Sequence, residues 1–208
     1  MLDQEMQYPG GSRLLVWRLD EEEPRLLALS REKGIHVEDL VELPIKRQRE
    51  KATERMLLCR AFGRPVLLSH TAQGAPYVEG LDVNISISHT TRMVVLAVDS
   101  AHVIGVDAEQ KDRQQVIKVR DKFLNTSEQQ FISPDDLDAH IIAWTAKEAI
   151  IKAERNNAID WTEGIRLESF TPDPVETVFK ARCGDRCYRL TSRLLEGHYI
   201  TLAVPAIS

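Results

Sequence analysis

The chain has 208 residues, of which 43% are hydrophobic and 28% charged, and its formal net charge is −5 at pH 7. A chain of this length can bury a substantial core, as one large domain or as two of about 100 residues. The net negative charge argues against general nucleic-acid binding. No apolar run follows Met1 and no stretch of about 18 apolar residues occurs, so we predict a cytoplasmic protein without a membrane span.

Three cysteines are present, Cys59, Cys183 and Cys187. They are too few for a disulfide framework, and no histidine pair completes a zinc site with them. We predict that they are reduced and structural.

The first part of the chain is predicted to contain a buried strand and a short helix. Residues 1–12 are polar and end in glycine, and the apolar run from Arg13 to Leu19 has the composition of a buried strand. A short helix from Pro24 to Lys33 should end at Gly34.

A longer helix is predicted from Pro44 to Gly63, because apolar side chains recur there at helical spacings. Its other face carries the densest positive charge in the chain, from Lys46, Arg47, Arg49, Lys51, Arg55 and Arg60. Such a face is either a solvated surface or a binding site for a small phosphorylated ligand.

Two strands are predicted at about residues 92–98 and 103–109, joined by a hairpin turn at Asp99 and Ser100. An earlier strand ends at Ser88 and His89, and the hairpin would bring this end near Asp107. A histidine beside a strand is either a turn residue with a local hydrogen bond or part of a binding site.

The strand at 103–109 ends in two carboxylates. Asp107 and Glu109 are two residues apart, so both side chains project from one face of the strand. Gly105 would allow a close approach to the backbone. Paired oxygens of this kind suit a hard cation such as Mg²⁺. A solvated strand end is the alternative interpretation.

In the second half, helices are predicted over residues 112–124 and from Ser133 and Pro134 to about Glu154. Between them, Asn125 to Glu128 has the composition of a helix start with a carboxylate in its first turn.

Within the longer helix, Trp144, Glu148 and Lys152 are spaced by four residues and share one face. An exposed Glu-to-Lys pair is one interpretation. The tryptophan, however, indicates that the face is partly buried, where an unpaired carboxylate is costly. A bound cation would remove that cost.

Residues 164–204 are predicted to form three or four antiparallel strands, with hairpin turns at 184–185 and 196–197. In both halves a helix precedes a strand of similar sequence, so each half is predicted to pack a helix on an antiparallel sheet. We therefore predict an α+β fold of two similar, pseudo-symmetric lobes, residues 1–103 and 104–208. A ligand is expected in the cleft between them.

Three motifs, in this order and at these separations, resemble those of the 4′-phosphopantetheinyl transferases, of the monomeric, two-lobed type that activates surfactin synthetase. They are Ser88-His89, Gly105 to Glu109, and Trp144 to Lys152. The resemblance extends from about Lys46 to Trp161, and both ends of the chain match only in predicted architecture. It implies Mg²⁺-dependent transfer of the phosphopantetheine arm from coenzyme A to a serine of an apo acyl or peptidyl carrier protein, with release of adenosine 3′,5′-bisphosphate.

The resemblance also implies roles for single residues. Asp107, Glu109 and Glu148 would hold one Mg²⁺ ion, and the first and last of these would thereby act in catalysis. Lys152 would bind coenzyme A and neutralise or protonate the leaving phosphate. Glu128 is a candidate general base for the serine hydroxyl, and metal-bound water relayed by Asp107 is the alternative.

The coenzyme A site implied in the N-terminal lobe comprises four residues: Arg47, Arg55, Ser88 and His89. The two arginines correspond best to the positions that bind the 3′-phosphate, since the guanidinium fork suits phosphate. Many family members have lysine where this chain has Ala75, so one phosphate contact is expected to be missing.

Two other functions use the same residues. A non-catalytic binder of coenzyme A or carrier protein could share the fold, and a Mg²⁺-dependent phosphohydrolase could use the three acids. The intact acids and Lys152 argue against the binder. Neither nucleic acid nor a membrane is expected as a partner.

Overall fold

The computed structural model describes residues 2–206 of the chain. These residues form two compact units, the first ending at Ala101 and the second beginning at His102. Each unit packs helices on an antiparallel sheet, which confirms the predicted α+β class. Within residues 2–206, no helix is both long enough and apolar enough to cross a membrane.

The first unit has its strands in two sheets, one of order β1-β2-β6-β5 and the other a hairpin of β3 and β4. Its elements are β1 (Leu2–Gln7), β2 (Arg13–Arg18), α1 (Glu23–Glu32), a 3₁₀ turn (Glu38–Leu40), α2 (Ile45–Phe62), β3 (Leu68–His70), β4 (Pro76–Val78), β5 (Asn84–His89) and β6 (Met93–Asp99).

Helix α2 has the predicted bounds. Pro44 is its N-cap, and Gly63 ends it in the left-handed conformation, with φ of 70°. Met56 and Leu57 on its inner face belong to the same buried core as Leu96 of β6. The helix is therefore held to the sheet by apolar contacts. Its basic residues are exposed or half-buried, whereas Glu50 and Glu54 are buried.

Strand β1 was not predicted from the sequence. It pairs antiparallel with β2 at the edge of its sheet. An edge strand can have a solvated face and therefore needs few apolar residues, so residues 2–7 lack the pattern by which strands are recognised.

The second unit has one sheet of order β7-β11-β10-β9-β8. Its elements are β7 (Gly105–Gln110), α3 (Gln115–Lys118), a 3₁₀ turn (Arg120–Lys122), α4 (Glu128–Phe131), α5 (Leu137–Glu154), β8 (Ile165–Leu167), β9 (Thr177–Cys183), β10 (Arg186–Leu195) and β11 (His198–Pro205). The hairpin turns predicted at 184–185 and 196–197 are confirmed.

The hairpin predicted at Asp99 and Ser100 is wrong. Strand β6 is buried along its whole length and pairs with β2 and β5. Strand β7 pairs instead with β11. A central strand has both edges occupied within its own sheet, so the following strand must find another partner. His89 and Asp107 are therefore not brought together by a shared hairpin.

The predicted helix over residues 112–124 is also wrong, because the structure has only α3 and a 3₁₀ turn there. Helix α5 starts later than Ser133 and Pro134 indicated. Its N-cap is Asp136, whose carboxylate accepts a hydrogen bond from the amide of Ala139 at 2.9 Å. The predicted end of α5 at Glu154 is confirmed.

Gly105 determines how closely β7 approaches α5. A Cβ at this position would overlap the carbonyl oxygen of Ala149 and lie 2.8 Å from the amide nitrogen of Ala153. The close approach predicted at this glycine is therefore made by the backbone of α5. Only a residue without a Cβ permits this contact.

Candidate active site

Asp107 and Glu109 lie on the face of β7 that is directed towards α5. They pair in register with Thr201 and Tyr199 of β11. The hydroxyls of Thr201 and Thr145 of α5 hydrogen-bond to each other at 2.7 Å. Since cross-strand partners share one face of a sheet, both acids face the helix.

Lys152 connects α5 to β7 at this point. Its Nζ donates to Oδ1 of Asp107 at 2.7 Å and to the carbonyl oxygen of Val106 at 3.0 Å. The side chain of Lys152 is 29% exposed, so the ammonium group is open to solvent on one side. The motif lysine and the first motif carboxylate are thus in direct contact.

Glu148 lies one turn before Lys152 and is half-buried, as is Trp144. The predicted partial burial of this helical face is confirmed. Burial raises the pKa of Glu148, and the charge of Asp107 raises it further, while Lys152 and Arg113 oppose this rise. Glu148 therefore shares an electrostatic site with the acids of β7.

Arg113 is a second cation at this site, and the sequence did not single it out. Its guanidinium forms an ion pair with Glu109. Its Cζ lies 5.4 Å from the ring centroid of Trp144, in a cation–π contact. Trp144 packs in turn on Trp161, with ring centroids 4.8 Å apart. An arginine four residues after a glutamate is an ordinary surface pattern, which is why it was missed.

The three acids have the chemistry of a Mg²⁺ site, since hard cations prefer carboxylate oxygens. Asp107 and Glu109 are nevertheless paired with Lys152 and Arg113. Across residues 2–206, no three His, Cys, Asp or Glu side chains are grouped so that they could hold a metal ion as they stand. Metal binding at the predicted ligands therefore requires side-chain rearrangement.

Glu128, the predicted general base, is a member of a buried ion pair. Its Oε2 accepts hydrogen bonds from Nζ of Lys147 at 2.7 Å and from the amide of Asn125 at 2.9 Å. Its Oε1 accepts from the amide of Leu167 at 2.8 Å. The side chains of Glu128 and Lys147 are both 0% exposed. The carboxylate of Glu128 is therefore engaged within the protein and closed to solvent in this structure, and its role as general base stays a prediction.

Lys147 is the centre of this buried cluster. Besides Glu128, its ammonium group donates to the carbonyl oxygens of Trp161 at 2.7 Å and Ile165 at 3.1 Å. Burial lowers the pKa of Lys147, and the charge of Glu128 opposes this. The cluster connects α4, α5 and β8, and it fixes the backbone of Trp161 beside Trp144. The sequence could not show this role, because the partners are distant in the chain.

The two arginines predicted to bind coenzyme A have partners within the first unit. Arg47 pairs with Glu50 at 2.8 Å. Both terminal nitrogens of the Arg55 guanidinium donate to the Asp39 carboxylate, at 2.6 and 2.7 Å. The positive charge of α2 is therefore partly neutralised within the unit, and less of it is available to a phosphate than the sequence indicated.

His89 and Ser88 lie at the end of β5. Nε2 of His89 is 2.5 Å from Oε1 of Glu54, a buried residue of α2 that also pairs with Lys51. Burial raises the pKa of Glu54, but the hydrogen bonds and charges of His89 and Lys51 outweigh it and lower the pKa overall. Ser88 is buried. The Ser88-His89 motif is thus joined to the basic helix through Glu54.

Residues 103–203 match the family model of the 4′-phosphopantetheinyl transferase superfamily. The matched range includes all three predicted metal ligands and Lys152, and it coincides closely with the second unit. The α+β fold agrees with this family. No curated protein matches the chain significantly.

Proposed function

We propose that the chain is a 4′-phosphopantetheinyl transferase, a holo-[acyl-carrier-protein] synthase that acts as a two-lobed monomer in the cytoplasm. Its substrates would be coenzyme A and an apo acyl or peptidyl carrier protein. One observation carries the proposal: Asp107, Glu148 and Lys152 lie together where β7 meets α5, within the range that matches the family.

The reaction is a phosphoryl-type transfer. The serine oxygen of the carrier protein bonds to the phosphorus that bears the pantetheine arm, and the bond from that phosphorus to the bridging diphosphate oxygen breaks. The serine proton goes to a base, and adenosine 3′,5′-bisphosphate leaves. Negative charge grows on the leaving phosphate, so a nearby cation lowers the barrier.

Asp107, Glu109 and Glu148 would hold Mg²⁺, which supplies Lewis-acid stabilisation of the diphosphate when it is bound. The raised pKa of Glu148 supports this assignment, because a carboxylate destabilised by burial and by Asp107 gains from a cation. Lys152 would neutralise the leaving phosphate. Its Nζ already contacts Asp107, and its partial exposure allows it to reach a ligand.

We assign the serine proton to a water molecule hydrogen-bonded to Asp107, since the carboxylate of Glu128 is buried in its ion pair with Lys147. Ser88, His89, Arg47 and Arg55 are proposed coenzyme A ligands. Among the two arginines, Arg47 is the more exposed and the better placed to exchange its carboxylate partner for a phosphate.

Mass spectrometry tests the proposal. The chain is incubated with coenzyme A, Mg²⁺ and apo carrier proteins from fatty-acid, polyketide and peptide synthesis. We expect one of them to gain the mass of one phosphopantetheine group, and its serine-to-alanine variant to gain none. A Glu148→Gln variant of the chain should be inactive.

The same experiment separates the alternatives. A non-catalytic binder would retain the carrier protein or coenzyme A on a column without changing any mass. A phosphohydrolase would cleave coenzyme A in the absence of a carrier protein. Either result, with no modification of any of the three carriers, would overturn the proposed function.

A further inference from the structure

We propose that Arg113 is a resident competitor of the divalent cation at Glu109 and that it weakens metal binding until it is displaced. This inference rests on the proposed function, because it takes Glu109 as a metal ligand. It concerns a residue outside the motifs and assigns it control of metal affinity.

Both oxygens of the Glu109 carboxylate are engaged. Oε1 accepts a hydrogen bond from the amide of Gln110 at 2.9 Å, and Oε2 is paired with the Arg113 guanidinium. A metal ion that binds Oε2 must take the place of the guanidinium. If the guanidinium remained, two positive charges would lie on one oxygen, and their repulsion would oppose binding.

Arg113 can both pair with Glu109 and move away from it into solvent. Its side chain is 41% exposed, whereas that of Glu109 is 16% exposed. It lies in an exposed segment between β7 and α3, where the chain has no regular secondary structure. The Trp144 ring supports the guanidinium from one side by the cation–π contact. The pair is therefore held in a defined geometry, yet one partner can move into solvent.

Lys152 differs from Arg113 in this respect. Its ammonium group is held by the carbonyl oxygen of Val106 as well as by Asp107, and it projects from the last turn of α5. Lys152 is thus positioned by regular structure on both sides. Arg113, by contrast, is carried by a segment without regular secondary structure.

The test is isothermal titration calorimetry with Mg²⁺, on the full chain without coenzyme A. Wild type, Arg113→Gln and Lys111→Gln are compared. Lys111 is also exposed and also lies close to Glu109 in sequence, so its variant removes the same charge without removing the ion pair. We expect Arg113→Gln to bind Mg²⁺ about two- to fivefold more tightly than wild type, the range of an exposed ion pair, and Lys111→Gln to change affinity less than twofold.

A fluorescence titration gives a second measurement of the displacement. Since the guanidinium lies over the Trp144 ring, its movement should change tryptophan emission when Mg²⁺ binds to wild type. The Arg113→Gln variant should bind Mg²⁺ without that change. A Trp144→Phe variant should also lose the change while it still binds the metal in calorimetry. Added salt should reduce the difference in affinity between wild type and Arg113→Gln, because the exposed pair is screened.

Three results are distinguishable from the expected one. If wild type binds Mg²⁺, Asp107→Asn abolishes binding, and Arg113→Gln has unchanged or weaker affinity, the inference is wrong and the proposed function stands. If neither wild type nor Arg113→Gln binds Mg²⁺ and carrier proteins are still modified, the inference is also wrong. If the metal does not bind and no carrier is modified, the proposed function and the inference fail together.

Discussion

Gly105 of β7 and Ala149 of α5 are in direct backbone contact, so closely that a Cβ on Gly105 would overlap the Ala149 carbonyl oxygen. This contact sets the distance between the strand that carries Asp107 and the helix that carries Lys152. The 2.7 Å bond between their side chains depends on it. The glycine of the motif is therefore needed for the geometry of the acids that follow it.

Replacing Gly105 with alanine should destabilise the second unit by at least about 1–3 kcal/mol, because the overlap is with backbone that cannot move aside. Urea denaturation followed by tryptophan fluorescence measures the change. Gly184→Ala is the control, since its Cβ would enter open space and meet only the strain of a φ of +54°. An equal loss in both variants would show that the Gly105 contact adds nothing.

Several parts of the fold were predictable because their signals are local. Helix α2 has a proline and a glycine at its ends, and the hairpins of β9 to β11 have glycine turns. The partner of β7 was not predictable, since β11 lies at the other end of the unit's sequence. A turn-like Asp-Ser pair was given more weight than a pairing that only the tertiary fold reveals.

In the candidate site, too, residues with a local sequence signal were predictable, and contacts that depend on the tertiary fold were not. Asp107, Glu109, Glu148 and Lys152 were identified from spacing and resemblance, and the structure brings Asp107 into contact with Lys152. The pairing of Arg113 with Glu109 and Trp144 depends on the irregular segment after β7, for which a helix was wrongly predicted. The burial of Glu128 depends on Lys147, which the motif shows only as the residue before Glu148.

Glu128→Gln should destabilise the protein by about 3–5 kcal/mol, because it leaves the buried ammonium of Lys147 without its counterion. Denaturation with urea measures this loss. The double variant Glu128→Gln/Lys147→Met should be more stable than Glu128→Gln alone, since no unpaired charge remains. If Glu128 acted only as a general base, its replacement would lower kcat and leave the stability unchanged. If Glu128→Gln folds with wild-type stability and loses only kcat, the structural role assigned to the pair is wrong.

Glu54→Gln tests the carboxylate that links His89 to α2. The pKa of Glu54 is lowered in the folded protein, so its ionised form stabilises the fold at every pH above the ordinary value of 4.5. This contribution is lost as pH falls through 4.5 towards the lower folded value. We expect Glu54→Gln to be less stable than wild type by about 1–3 kcal/mol at pH 7.

The difference between wild type and Glu54→Gln should narrow as the pH falls below 4.5, because Glu54 becomes protonated first in the unfolded chain and, at lower pH, in the folded protein. Chemical denaturation from about pH 2.5 to pH 7 measures it, with Glu79→Gln as the control for an exposed glutamate of the same unit. A difference that stays constant over this range would mean that ionisation of Glu54 does not stabilise the fold.

Lys152→Met should lower kcat for carrier-protein modification by about 10²–10³, with a smaller effect on KM for coenzyme A. The reason is that its proposed partner, the charge on the leaving phosphate, is largest in the transition state. Methionine keeps much of the length of the lysine side chain, so the side chain still extends from α5 to β7 while the ammonium is removed. Lys180→Met replaces an exposed lysine of β9 in the same unit; it is the control and should leave both constants unchanged.

Steady-state kinetics over a range of coenzyme A concentrations separates the two constants. If KM rises while kcat is unchanged, Lys152 binds the substrate equally in its ground and transition states, and its proposed role at the leaving phosphate is wrong.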